Sequence, residues 1–89
     1  AKKIVMLGDM FELGETSEQE HQEIVDLASN RNIDEVYLCG KEFKKSQGGN
    51  KFTETADLKE YLAKNKFENT HILIKGSRGM KMETLLEVL

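Results

Sequence analysis

The chain has 89 residues, 33% of them charged and 38% hydrophobic, and a net charge of −3. That length holds one core, and that balance describes a folded domain rather than a disordered tail. An acidic chain without a basic stripe argues against nucleic acid as a partner. No apolar run reaches the ~18 residues that cross a bilayer and no signal peptide is visible, which argues against a membrane. The single cysteine, Cys39, rules out an internal disulfide framework and fits a cytoplasmic location. It closes an apolar run and has no activating base nearby in sequence, so it reads as a buried, inert thiol. The chain starts at Ala1 and stops at Leu89 inside a helical pattern. This suggests a domain cut from a longer protein, although removal of an initiator methionine would also explain the start.

The first element is the apolar run Ile4-Val5-Met6-Leu7, which ends in Gly8-Asp9 and fits a parallel strand covered on both faces. A loop through Met10-Phe11-Glu12-Leu13-Gly14 follows. Ser17 and Glu20 form a capping-box pattern that predicts a helix start, with His21, Ile24, Val25 and Ala28 on one face and a stop at Asn30-Arg31-Asn32. Val36–Cys39 reads as a second strand ending in Gly40. A short helix over 42–46, a turn at Gly48-Gly49-Asn50 and a short strand over 51–53 come next. A helix is predicted over 56–65, with Thr55 as N-cap and Leu58, Tyr61 and Leu62 on one side. Thr70–Lys75 is the fourth strand. Arg78–Leu89 is the last helix, capped by Ser77, with Met80 and Met82 as core filler. Strands alternating with helices predict an α/β fold: a mainly parallel sheet of about four strands with helices on both faces.

Ligands of open α/β sheets bind beyond the carboxyl ends of the strands, and two loops there are chemically distinctive. One is Gly8–Gly14. The other is Lys75-Gly76-Ser77-Arg78-Gly79, which reads as an anion receptor at a helix start, with Arg78 adding a planar fork. If the first and fourth strands are neighbours, Asp9 and Arg78 open onto one crevice. They then either hold the two ends of a zwitterion or pair with each other. His21 lies on the apolar face of its helix. It reads as a hydrogen-bonded histidine that ties its ring to the preceding loop, a supporting role. No Walker phosphate loop, dinucleotide fingerprint, metal-ligand spacing or nucleophile–base pair is present, so no catalytic residue and no metal site is assigned. Binding and orientation are the expected contribution, with the bond-making groups elsewhere.

Two segments together resemble the Mur ligases. Gly8-Asp9-Met10-Phe11-Glu12-Leu13-Gly14, with Ser17 and His21, is similar to the first conserved stretch of the C-terminal domain in the member that adds D-alanyl-D-alanine. Lys75-Gly76-Ser77-Arg78-Gly79-Met80, with Glu83, is similar to its last. The resemblance implies that residues 1–89 are one Rossmann-like, three-layer domain, the third of a three-domain enzyme of cytoplasmic peptidoglycan synthesis. That enzyme would join D-alanyl-D-alanine to UDP-N-acetylmuramoyl-tripeptide through an acyl phosphate. ATP and Mg2+ would be bound mainly by the central domain, and the fragment alone would bind neither and be inactive. Carried onto this chain, Lys75, Ser77 and Arg78 match the loop facing the incoming dipeptide, and Asp9 matches the acidic position ending the first strand. The family's Asn-rich segment before that strand is absent here, which leaves open which residues reach ATP. The same domain of another Mur-type ligase, or a freestanding module for small anions, are the alternatives.

Overall fold

The computed structural model describes residues 2–11 and 14–89; Glu12 and Leu13 of the predicted first loop lie outside the described residues. Four strands, β1 (Lys2–Gly8), β2 (Glu35–Cys39), β3 (Asn50–Phe52) and β4 (Thr70–Lys75), form one sheet in the order β3-β2-β1-β4. All three pairings are parallel. The helices are α1 (Ser17–Ser29), α2 (Lys41–Lys44) and α3 (Thr55–Lys64). The chain runs from β1 to β2 and β3 on one side, then returns to place β4 on the other side of β1. The first and fourth strands are therefore neighbours, as the crevice argument requires.

Because successive side chains of a strand face opposite ways, the central strand feeds two cores. Ile4 and Met6 point to one face with Tyr37, Cys39, Leu58, Leu62, Met82 and Leu85. Val5 and Leu7 point to the other, with Val25, Ala28, Val36, Leu38 and Phe43. The result is the three-layer arrangement read from the alternation, with α3 on one face and α1 and α2 on the other. On the α3 side the Tyr37 ring packs against Phe52, Tyr61 and Phe67 at centroid distances of 6.4, 5.9 and 6.0 Å. Its hydroxyl donates to Glu35 at 2.8 Å. Cys39 is fully buried, as expected, and burial followed by the Asp9 charge pushes its thiol up to about 12.

Three helix starts differ from the sequence reading. The chain enters α1 from a 3-10 turn, Gly14–Thr16, and the residue before the helix, Thr16, has φ −91° and ψ 3°. That geometry cannot aim a hydroxyl at the first-turn N–H groups, so no side-chain cap forms. Instead Thr16 donates to Glu20 at 3.1 Å, and Ser17 turns towards His21 and Glu42. At α3 the cap is Glu54, in a reciprocal capping box with Asp57, rather than Thr55. The Thr55 hydroxyl donates to the Met80 carbonyl at 2.6 Å.

The predicted last helix is not continuous. It divides into two 3-10 segments, Arg78–Met80 and Met82–Glu87, separated by Lys81 in the left-handed region (φ 54°). Ser77 precedes the first of these, yet its side chain makes no cap bond there. Packing explains the break. Met82 and Leu85 must both reach the sheet, and Met82 fills the space left by Gly8 and Gly76, where an added Cβ would come within 2.9 Å of its side chain. Met82 is core, as read, and Met80 packs at the edge of that core.

Candidate functional site

Beyond the carboxyl ends of β1, β2 and β3 lies a cleft of about 950 Å³. Asp9 and Phe11 border it from the first loop, Lys41 from the start of α2, Ala56 from α3, and Lys81 and Thr84 from the C-terminal segment.

Asp9 is only 4% exposed. Its two carboxylate oxygens accept hydrogen bonds from the backbone N–H groups of Glu42 and Phe43, each at 2.9 Å. Asp9 therefore closes the start of α2 from a different strand, using charge where the helix leaves unpaired donors. Gly40 makes this approach possible: its φ is 114°, and an added Cβ would collide with the Asp9 carboxylate carbon. Asp9 does not pair with Arg78; its carboxylate is spent on α2.

The two distinctive loops are nonetheless stitched together. The Ser77 N–H donates to the Asp9 carbonyl at 3.2 Å, and the Phe11 N–H donates to Ser77 Oγ at 2.8 Å. Next to Phe11, the Met10 N–H donates to His21 Nε2 at 3.1 Å. Nδ1 of that ring lies 2.6 Å from the Ser17 carbonyl, which makes it the protonated nitrogen and Nε2 the acceptor. The fully buried His21 ring also meets Phe43 edge-on at 4.5 Å. The tie from His21 to the first loop, expected from its position on the apolar face, is present in this geometry.

Lys75 and Arg78 are exposed and border the same end of the sheet without lining the cleft. The anion-receptor reading of their loop loses one of its supports, since a three-residue 3-10 turn has little dipole to offer. The cleft itself is lined by acids and lysines together. Its acids are engaged internally: Asp9 by α2, Glu42 by Ser17 at 2.9 Å and by Lys45 at 3.3 Å, and Glu54 by the first turn of α3. The Ser17 hydroxyl and Lys45 hold the Glu42 carboxyl below its ordinary value. By contrast, Lys41, Lys75, Arg78 and Lys81 take part in none of the ion pairs found among the described residues. The cleft therefore holds both signs of charge beside apolar side chains, with Lys41 and Lys81 exposed on its border and Asp9, Glu42 and Glu54 turned to hydrogen bonds within the fold. Among the described residues, no three His, Cys, Asp or Glu side chains converge as metal ligands.

Sequence reading missed Lys41 and Lys81. Lys41 follows the glycine that ends β2, so the strand-end rule applied to that strand would have found it. Lys81 reaches the cleft only because the last helix breaks there, and no local pattern signals that break.

No protein-family profile matches the chain. It is 35% identical over 97 aligned positions to UDP-N-acetylmuramoyl-tripeptide–D-alanyl-D-alanine ligase of Bacillus subtilis, covering 97% of this chain and 21% of that protein. The enzyme of the same name from Buchnera aphidicola subsp. Acyrthosiphon pisum is 40% identical over 92 positions, covering 96% and 20%. Among solved structures, MurF ligase from Thermotoga maritima in complex with ADP superposes with a TM-score of 0.76 at 26% identity, over 99% of this chain and 21% of that one. The chain thus spans about one fifth of the length of the relatives it matches. Over nearly all of its own length, this chain is a homologue of one domain-sized segment of the MurF ligases.

Proposed function

We propose that residues 1–89 are the C-terminal, closing domain of a three-domain ligase that adds D-alanyl-D-alanine to UDP-N-acetylmuramoyl-tripeptide in cytoplasmic peptidoglycan precursor synthesis. The observation that carries this reading is the cleft at the strand ends, part apolar and bordered by Lys41 and Lys81, which enter none of the ion pairs found among the described residues. D-alanyl-D-alanine carries two methyl groups, an amino group and a carboxylate; apolar walls suit the methyl groups and the two lysines suit the carboxylate. Asp9, Ser77 and His21 hold the loops that shape this end, while Lys75 and Arg78 stand exposed towards whatever closes over it.

This chain lacks two usual cradles for the phosphates of ATP. The chain has no glycine-rich phosphate loop, and the N–H groups at the start of α2 already bind a carboxylate. In this reading ATP and Mg2+ are held mainly by the rest of the enzyme, and this domain contributes binding and orientation of the amino substrate.

The test uses the full-length protein with ATP and Mg2+, assayed for phosphate release with UDP-N-acetylmuramoyl-tripeptide and D-alanyl-D-alanine. Wild-type turnover that requires both substrates is the expected result. R78K should raise the KM for the dipeptide about tenfold, because a point charge cannot replace the bidentate fork. An unchanged KM removes Arg78 from substrate binding, and no turnover with this pair overturns the assignment.

A further inference from the structure

Phe11 is unusual in this molecule. It is a large apolar side chain left 49% exposed, yet its backbone is held from two directions. Its own N–H is bound by Ser77 Oγ, 66 residues away, and the preceding N–H by His21 Nε2. Its ring also has a seat made for it. At Gly79 an added Cβ would lie 2.7 Å from Phe11 Cε2, with further ring atoms at 3.5 and 3.6 Å. Gly79 does not have a positive φ, so its backbone makes no demand for glycine. What the missing side chain provides is room for the ring. Ring and glycine both line the cleft, together with the short side chains of Ala56 and Thr84.

We propose that the Phe11 ring is a specificity-determining wall of the cleft: it limits the amino substrate to side chains of about methyl size, and Gly79 keeps the ring in place. This rests on the reading that the cleft receives the dipeptide. A rigid aromatic face admits a methyl group at van der Waals contact and meets a branched side chain with overlap. The two hydrogen bonds fix the backbone from which the ring projects, and the room at Gly79 seats one of its edges. Phe11 here is a ligand-contacting wall, whereas Gly79 acts only through it.

The experiment compares D-alanyl-D-alanine with D-alanyl-D-leucine in the full-length enzyme, measuring kcat and KM separately for wild type, F11A, F11L and G79A. Wild type should prefer the smaller dipeptide. F11A should raise the KM for D-alanyl-D-alanine and narrow the preference about tenfold, the scale of small apolar differences in a pocket, with kcat within about twofold. G79A should narrow it in the same direction by displacing the ring. F11L should fall between wild type and F11A, and it carries the test if F11A does not fold. An unchanged preference in the folded Phe11 variants and in G79A, with wild type active, overturns this inference alone. Wild type that turns over neither dipeptide overturns both this inference and the functional reading beneath it.

Discussion

Asp9 shows how a residue that looks like a ligand-binding acid can be committed to structure. Its two oxygens face two backbone donors, and an amide can offer only one acceptor oxygen. D9N should therefore lower stability by about 2 kcal/mol, the scale of a lost charge-assisted bond with its donor left buried, measured as a shift in urea midpoint. A midpoint within error of wild type would mean that the α2 start is satisfied in another way. From sequence, Asp9 was legible as a polar residue at a strand end, and the position was read correctly. Its partner was not, because α2 begins 32 residues later and no local pattern links the two. His21 was more legible. A histidine one turn into an apolar helix face is within reach of the loop that precedes its helix, and His21 meets Met10 there.

The elements form where burial dictates and start where local geometry allows. β1, β2 and β4 were readable because each holds a short apolar run closed by glycine or lysine, whereas β3 (Asn50–Phe52) offers only Phe52 and was marked mainly by the Gly48-Gly49 turn before it. The caps were less so, because a serine or threonine near a helix start has more than one nearby acceptor or donor. Thr55 turned to the Met80 carbonyl, which left Glu54 to cap α3 with Asp57. E54A should consequently cost about 1 kcal/mol, as the loss of a side-chain cap does, with the thermal midpoint as readout. If E54A is neutral while T55A costs that amount, the cap belongs to Thr55 after all. The broken last helix was illegible for a related reason. Met82, Leu85 and Leu86 recur at helical spacing, but tertiary packing set the backbone, and the left-handed Lys81 absorbs the mismatch.

At the scale of the whole molecule, the sheet is covered unevenly. β4 alternates: Ile72 and Ile74 pack inward on the α3 side, while Leu73 is 60% exposed on the side that α1 occupies further along the sheet. In the described chain β4 also ends the strand order, leaving one of its ladders unpaired. A leucine there contributes little to the isolated domain. L73K should shift the stability of the 89-residue chain by under about 0.5 kcal/mol, checked by urea unfolding. A loss of several times that amount would mean that α1 shields Leu73. The same substitution bears on how the purified domain behaves in the tube. A strand with one edge unpaired and a leucine exposed at its middle is a template on which a second molecule can lay its own. The wild-type chain should therefore scatter light increasingly as it is concentrated, and a lysine in the middle of that strand should keep the solution clear.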